Sequence, residues 1–411
     1  MKQLPRLALL LFVCIALAEL AAYGCLYVLR GRLHDDIRRS PEIYEMQSEL
    51  MRTMLLGPAE HRTAVDPVLG WRYRSGFGSA TDTINDQGVR ARRQYSKSPA
   101  AGVTRLAAFG DSFVYANEVA DADAWSAQLE HISPKIEVLN YGVGGYGVDQ
   151  AYLRYRLEGR ELSPDTVLMG FVADDLRRVV NVYRRFSSTS ELPLFKPRYL
   201  LSPNGELTLL PSPVSSLADY EKYLLRPDSV REVGVYDHWY DPLVYENPLY
   251  DWSAAVRLAS AAWIRIYRRY MDPDRLVSDG QFNEDSSAFS IQRRLFRIFA
   301  TDVAHAGARP IVVFFPDKYT VMGSLSGEAP VYAPLVRAAR RDGVFACDLY
   351  SPFRSVAERE GVEGLFMPAG HYSPRANEIV AQSMARVLRA LAETMSTKGE
   401  APDFCRSSGP A

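Results

Sequence analysis

RLAAFGDSF, residues 105–113, joins a short aliphatic run to a polar turn. The run has the length and residue types of a buried β-strand, and the segment around Trp125 that follows has helical periodicity. In a strand, turn and helix of this kind, the turn lies at the carboxyl end of the strand, where α/β proteins bind their ligands. We therefore expect the hydroxyl of Ser112 to face that crevice, with its backbone N–H available to a developing oxyanion.

Strand-like runs and helical segments alternate along most of the chain after this point. The runs are RLAAF ending at Phe109, IEVL ending at Leu139, TVLMGF ending at Phe171, PIVVFF ending at Phe315 and GVFACDL ending at Leu349. This alternation predicts an α/β fold with a central parallel sheet and helices on both faces. Between about residues 185 and 290 a Pro- and Tyr-rich segment interrupts it, and we interpret that segment as an insertion over the sheet.

Three further polar segments follow predicted strands or precede the last helix. A glycine-rich turn at residues 140–147, NYGVGGYG, can approach a ligand closely and donate backbone N–H groups. It has neither the spacing of a dinucleotide fingerprint nor the Lys-Ser/Thr pair of a P-loop. The third predicted strand leads into residues 170–175, GFVADD, and His371 stands directly before the last helix. Because a serine hydroxyl needs a base to become a nucleophile, His371 is the candidate partner of Ser112.

Composition excludes several other kinds of protein. The 411 residues include 48 basic and 49 acidic side chains and no long basic run, which argues against nucleic-acid binding. No cluster of His, Cys, Asp or Glu has the spacing of a metal site, so we expect no metal and no cofactor.

The N-terminus holds an apolar segment, residues 7–29, interrupted only by Glu19. It is long enough to cross a bilayer and continues past the Ala16-Leu17-Ala18 site that would suit a cleaved signal, so we favour an uncleaved anchor over a signal peptide. More basic residues follow the segment than precede it, and the positive-inside rule alone would place the body in the cytoplasm. Cys347 and Cys405 are the only thiols of the body, and a disulfide between them is one of two open alternatives.

These segments resemble the blocks of the SGNH (GDSL-type) serine hydrolases, in particular their membrane-anchored bacterial members. Gly110-Asp111-Ser112-Phe113 is similar to the nucleophile block, Gly145 to the glycine that donates to the oxyanion, residues 170–175 to the third block, and His371 to the catalytic base. Residues 66–71 and 84–90 are similar to segments that precede the nucleophile in the anchored members. The resemblance implies a flavodoxin-like three-layer sandwich, with the N–H groups of Ser112 and Gly145 stabilising the oxyanion. It also places the body in the periplasm, on a single helix in the inner membrane.

Two positions depart from the family pattern. Asp174 stands where the family has an asparagine that donates to the oxyanion, and a carboxylate there would repel negative charge. Pro368 and Ala369 occupy the positions before the histidine where the family has its acid. Either His371 works without an acid, or an acid from elsewhere orients it. The candidates are Asp174, Asp175, Asp348 and Glu363.

The sequence thus supports two hypotheses. In the first, the chain is a serine ester hydrolase or O-acyltransferase that acts on acyl groups, with acetyl foremost, of a cell-envelope carbohydrate or on a small ester. The segment at residues 315–321, which resembles part of exopolysaccharide O-acetyltransferases, favours acetyl groups. In the second, the domain is catalytically inactive and binds glycans or serves assembly. The expected organisation is an anchor (1–30), a membrane-proximal collar (31–102), the hydrolase-like domain with its insertion (103–395) and a tail (396–411).

Overall fold

The computed structural model describes residues 4–29, 40–53, 61–188, 191–225, 227–393 and Cys405. Packing divides the chain into two units. One comprises Met1–Gly57, Asn181–Phe195 and Ser216–Arg275, and the other comprises Pro58–Val180, Lys196–Ser215 and Leu276–Ala411. Parts of the predicted collar, and the predicted tail apart from Cys405, lie outside the described residues.

The chain begins with a long apolar helix. The elements that precede the central sheet are α1 (Leu4–Leu29), α2 (Ser40–Met51) and the antiparallel hairpin of β1 (Thr63–Asp66) and β2 (Gly70–Tyr73). Within α1, residues Pro5–Val28 have a mean hydropathy of 2.3 and are long and apolar enough to cross a membrane. The predicted N-terminal apolar helix is therefore present.

The first half of the central sheet carries the serine turn. Its elements are β3 (Thr104–Phe109), α3 (Ser112–Tyr115), α4 (Trp125–Ile132), β4 (Ile136–Asn140), α5 (Val148–Glu158), β5 (Thr166–Phe171) and α6 (Asp175–Arg178). β3 and β5 are buried along almost their whole length, as strands covered by helices on both faces must be.

The segment that we interpreted as an insertion is mostly helical. It contains the hairpin of β6 (Arg198–Leu201) and β7 (Leu207–Leu210) and the helices α7 (Leu217–Leu225), α8 (Pro227–Gly234), α9 (Pro242–Tyr245), α10 (Pro248–Trp252) and α11 (Ala254–Ile266). A π-helical turn, Tyr267–Met271, extends α11. Side-chain caps start three of these helices, including Ser253, whose hydroxyl accepts from the Val256 N–H at the start of α11.

The remaining elements complete the sheet. They are β8 (Val277–Ser278), β9 (Gln281–Phe282), α12 (Ser287–His305), β10 (Arg309–Phe314), α13 (Lys318–Leu325), α14 (Ala333–Arg341), β11 (Ala346–Asp348), α15 (Tyr350–Glu360) and α16 (Pro374–Glu393). The five central strands are parallel and run in the order β11-β10-β5-β3-β4.

This order is that of a flavodoxin-like sheet, in which the first strand of the chain lies between the second and the third. Successive residues of each strand point to opposite faces of the sheet, so that a separate core lies on each face. Leu106, Val138 and Leu168 pack with the buried residues of α4 and α16 on one face. Edge-on and tilted aromatic rings, among them Phe171, Phe296 and Phe314, pack on the other face. The predicted three-layer α/β fold is confirmed, and its switch point lies between β3 and β5.

Candidate active site

The serine turn follows β3 at the switch point of the sheet. The Asp111 carboxylate accepts a hydrogen bond from the Phe113 N–H at 2.9 Å and so starts the single turn of α3, of which Ser112 is the first residue. A side chain on Gly110 would place its Cβ only 2.4 Å from Val114 Cγ2, so the approach of strand to helix requires glycine. Ser112 thus stands at the carboxyl end of β3, as the sequence predicts.

The loop after α3 adopts a conformation that is rare for residues with a side chain. Ala116 and Glu118 have φ values of +66° and +69°, in the left-handed region. The guanidinium of Arg90, buried beneath this loop, donates to the carbonyl oxygens of Tyr115 at 2.6 Å, Ala116, and Val119 at 2.7 Å. These hydrogen bonds stabilise a loop conformation that the left-handed φ values of Ala116 and Glu118 would otherwise disfavour.

The positive φ of Glu118 directs its carboxylate to His371. Glu118 Oε2 lies 2.7 Å from His371 Nδ1, and the same carboxylate accepts from the backbone N–H groups of Ala369 at 3.0 Å and of His371 at 3.1 Å. Partial burial alone would raise the pKa of the Glu118 carboxyl, but these hydrogen bonds outweigh it and hold that pKa below its ordinary value. An ionised carboxylate therefore faces Nδ1, which leaves Nε2 as the nitrogen free to act as a base.

This pairing corrects the expectation that Asp174 or Asp175 orients the histidine. Asp175 is buried, accepts from the Val172 N–H at 3.0 Å and pairs with Arg178 at 2.9 Å. Asp174 lies 3.9 Å from Arg178 and keeps 59 % of its side chain exposed. The other two candidates are also engaged elsewhere, since Asp348 accepts from Tyr332 and the Tyr350 N–H, and Glu363 lies 3.9 Å from Lys318.

Sequence reasoning missed Glu118 because it considered only acids at the ends of predicted strands or shortly before the histidine. The glutamate stands only six positions after Ser112, but 253 positions before His371. The one signal in the sequence that could have indicated Glu118 is its position, six residues after the predicted nucleophile. The left-handed backbone that turns it toward the histidine has no signature in the sequence.

The histidine and the serine turn are adjacent. The rings of His371 and Phe113 have their centroids 5.4 Å apart, and Phe113 also contacts Tyr372 edge-on at 4.8 Å. The hydrogen bonds that the structure gives for the described residues do not join the Ser112 hydroxyl to His371. In serine hydrolases such a bond often tightens only when substrate is bound.

The glycine-rich turn is held from outside by the hairpin of β1 and β2. Gly145 has a φ of +79°, and its neighbour Gly144 donates its N–H to the Tyr73 hydroxyl at 2.8 Å. The Trp71 indole donates to the Gly144 carbonyl at 3.2 Å, and the Tyr146 hydroxyl donates to the Trp71 carbonyl at 2.5 Å. Trp71, at the end of the segment 66–71 that resembles part of the anchored family members, and Tyr73 just beyond it thus fix the conformation of the turn that carries Gly145.

A buried cluster of charges lies behind the serine turn. Arg178 Nη1 contacts Asp111 Oδ2 and Asp175 Oδ1, each at 2.9 Å, and donates to the Tyr146 carbonyl at 3.0 Å. Burial, and then the neighbouring Asp111 charge, raise the pKa of the Asp175 carboxyl well above its ordinary value. Arg178 therefore joins three elements of the site: the serine turn, the glycine-rich turn and α6.

The residues that the structure describes include no group of three or more His, Cys, Asp or Glu side chains placed to hold a metal ion. The N–H groups of Ser112 and Gly145 are the candidate oxyanion donors, and Asp174 directly precedes α6.

Comparisons with known proteins give likenesses among solved structures only. No family model matches the chain, and no curated protein matches it. An acetyl xylan esterase from Geobacillus stearothermophilus is similar at 12 % identity over 71 % of this chain and 96 % of its own, with a TM-score of 0.35. A lipase/acylhydrolase from Enterococcus faecalis has 11 % identity over 69 % and 94 %, with a TM-score of 0.33. A member of the lipolytic G-D-S-L family from Veillonella parvula has 11 % identity over 70 % and 99 %, with a TM-score of 0.32. We draw no conclusion on activity from similarities of this size.

Proposed function

We propose that the chain is a serine ester hydrolase or O-acyltransferase of the SGNH type. In this proposal Ser112 is the nucleophile, His371 is the base, and Glu118 orients the base. The observation that carries the proposal is the 2.7 Å contact between Glu118 and His371 Nδ1, beside the serine turn. A carboxylate, an imidazole and a serine in this relation form the arrangement that activates a serine hydroxyl.

The reaction proceeds in two transfers of the acyl group. Ser112 Oγ attacks the ester carbonyl carbon while its proton passes to His371 Nε2, and the N–H groups of Ser112 and Gly145 stabilise the oxyanion. The imidazolium, paired with the Glu118 carboxylate, then protonates the leaving alcohol as the carbon–oxygen bond of the ester breaks. Water or a sugar hydroxyl next gives its proton to His371 and attacks the acyl-serine. His371 then returns the proton to Ser112 Oγ as the acyl–Oγ bond breaks, which releases an acid or a new ester and restores the free serine.

The rival hypothesis was an inactive domain, and it had two supports. One was the absence of an acid before His371, and Glu118 now supplies a carboxylate to that ring. The other support was that Asp174 stands in place of an amide donor, and this support remains. Two oxyanion donors with a complete acid and base favour a working enzyme, slower than one with three donors.

The proposal also includes a substrate class and a location for the protein. An acetylated carbohydrate of the cell envelope is the expected substrate, reached by a domain held at the membrane through α1. A disulfide joins Cys347 to Cys405, which supports maturation in an oxidising compartment such as the periplasm. We propose that α1 is the single inner-membrane helix of the mature protein.

The decisive test compares the full chain in detergent with three variants. Wild type, Ser112→Ala, Glu118→Gln and Glu363→Gln are each incubated with a fluorophosphonate and with an acetyl ester, and adducts are read by intact mass. We expect labelling of wild type and Glu363→Gln, none of Ser112→Ala, and a kcat for Glu118→Gln lower by about 10²- to 10⁴-fold with little change in KM. Glu363→Gln is the matched control because that carboxylate is exposed and contacts Lys318, not His371.

Three results would contradict the proposal in whole or in part. Turnover by Ser112→Ala at the wild-type rate would eliminate the mechanism, and absence of labelling in wild type would favour a glycan-binding module. Loss of activity in Glu118→Gln accompanied by a lowered melting temperature would assign Glu118 a structural role only.

A further inference from the structure

Glu19, the one acidic residue within the apolar helix α1, has a specific partner. Its Oε2 accepts from the N–H groups of Ala254 at 2.8 Å and Ala255 at 3.4 Å, and the Ser253 hydroxyl donates to Oε1. These groups form the N-terminus of α11, whose partial positive charge favours an anion. A carboxylate and unpaired N–H groups are each costly in hydrocarbon, and here each satisfies the other.

From Glu19 onward α1 and α11 run side by side. In α1, residues 5–18 are exposed, whereas Ala22 and Leu26 are buried in a cluster with residues of α11. The α11 residues of that cluster are Ala254, Ala255, Leu258 and Ala261. Of these, Ala254, Leu258 and Ala261 recur at helical spacing and form one stripe. Because burial on α1 begins only at Glu19, α11 extends toward the Leu29 end of α1. Its 13 residues rise about 20 Å, against about 15 Å from Glu19 to Leu29.

A second stripe of α11 is apolar and exposed. It consists of Ala259, Trp263, Ile266 and Tyr270, at helical spacing and on a face different from the one that packs on α1. Tyr270 is 68 % exposed, and Trp252, directly before the helix, is 89 % exposed. A helix that faces water normally presents polar side chains there, so this stripe indicates contact with an apolar phase.

The residues at the C-terminal end of α11 are of the types found at the interface between a bilayer and water. Trp263, Tyr267 and Tyr270 are accompanied by Arg265, Arg268 and Arg269, and this end reaches the level at which α1 ends. Tryptophan and tyrosine with basic residues are enriched where a membrane protein meets the headgroups. The residues before them, Ala259 and Ala262, are small and uncharged.

We propose that α11 and its π-helical turn lie in the bilayer leaflet on the Leu29 side of α1, with the stripe of Ala259, Trp263, Ile266 and Tyr270 against lipid. The occupant is lipid, because α1 is apolar along Pro5–Val28 apart from Arg6 and Glu19, and its immediate neighbour α11 lies at the same depth. Glu19 fastens the two helices together, so α1 is a retained part of the fold and not a cleaved signal. This inference depends on α1 crossing the membrane and is independent of the chemistry at Ser112.

The test uses the full chain in vesicles of phosphatidylethanolamine and phosphatidylglycerol whose acyl chains carry bromine, which quenches tryptophan only in the membrane. We expect Trp263→Phe to remove at least a third of the bromolipid quenching, and Tyr270→Trp in that background to restore it. The matched control is Tyr319→Trp in the same background, since Tyr319 is 83 % exposed on the other unit. A tryptophan there should be quenched by aqueous iodide and not by bromolipid.

A second pair of variants tests the role of Glu19. Glu19→Leu removes the acceptor for three donors and should at least halve the quenching of Trp263, whereas Glu19→Gln keeps one acceptor oxygen and should retain most of it. Quenching of Trp263 by iodide alone, or its protection from both quenchers in a cross-linked dimer, would overturn the proposal. So would a mature N-terminus beyond residue 19. Esterase activity measured on the Glu19, Trp263 and Tyr270 variants reports on the proposed function separately, since these residues lie outside the site.

Discussion

At the scale of single residues, the site depends on a glutamate in a strained conformation. Left-handed φ values at Ala116 and Glu118 each cost on the order of 1 kcal/mol or more relative to an ordinary backbone, and the surrounding hydrogen bonds offset that cost. The strain has a chemical result, because it turns the Glu118 carboxylate toward His371 Nδ1. A glutamate with relaxed backbone at the same position would point its side chain elsewhere.

Asp174 is the residue at which the site is least suited to an oxyanion. Its side chain is largely exposed and makes only a 3.9 Å contact with Arg178, so an amide fits the same space. We expect Asp174→Asn to raise kcat for an acetyl ester by about 10- to 100-fold, because a repelling carboxylate becomes a donor.

The control for Asp174→Asn is the same substitution at the neighbouring residue, Asp175→Asn. Asp175→Asn alters a buried carboxyl that accepts from the Val172 N–H and pairs with Arg178, and it should lower activity and stability. Steady-state kinetics of both variants decide the matter. An Asp174→Asn enzyme no faster than wild type would show that Asp174 does not face the reacting carbonyl.

At the scale of elements, the segments before the sheet brace the site loops. Arg90 holds the loop that carries Glu118, and the hairpin of β1 and β2 holds the turn that carries Gly145. The proposed acid and one proposed oxyanion donor therefore depend on residues 71–90, which precede the first strand of the central sheet. In the proposed mechanism these residues position groups that act on substrate.

Arg90→Lys tests this bracing. A lysine keeps the charge but cannot donate in several directions at once, so the carbonyl oxygens of Tyr115, Ala116 and Val119 lose most of their bonds. We expect kcat to fall at least 10-fold and the free energy of unfolding to fall by about 2 kcal/mol. Arg92→Lys, in an exposed side chain paired with the same Asp121, should change neither by much. Equal kcat in the two variants would mean that the Glu118 loop holds its shape without Arg90.

The difference between what the sequence predicts and what it does not has a physical basis. β3 and β5 are buried along almost their whole length, so each appears in the sequence as a run of consecutive aliphatic residues, and following the run of β3 to its end finds Ser112. His371 is found as the histidine directly before the last helix. The links of Glu118 to His371 and of Tyr73 to Gly144 join positions far apart in the chain. They depend on backbone angles and packing that no local pattern encodes.

At the scale of the whole molecule, a covalent bond ties the C-terminal segment to the sheet. Cys347 lies in β11 and is fully buried, and it is bonded to Cys405, 58 residues later in the chain. The intervening segment includes His371 and all of α16, so the disulfide closes a loop that contains the proposed catalytic base. Closing a loop of this length removes conformational freedom from the unfolded chain, worth roughly 4 kcal/mol in the chain-entropy description.

Reduction should therefore weaken the fold around His371 before the rest of the sheet. We expect dithiothreitol to lower the apparent melting temperature of the wild-type protein in detergent by several degrees, with activity lost in parallel. Cys405→Ser should show the lowered value without reductant and no further response to it. The matched control is Cys25→Ser, since Cys25 is a free, exposed cysteine in α1 and its loss should leave both the melting temperature and its response to reductant unchanged.

The compartment of production gives a second test. Production in a reducing cytoplasm should yield a protein with the melting temperature of Cys405→Ser, and production with export should yield a protein with the higher melting temperature. Equal melting temperatures from the two compartments, with no response to reductant in either, would show that the disulfide contributes nothing to stability and would remove its support for a periplasmic body.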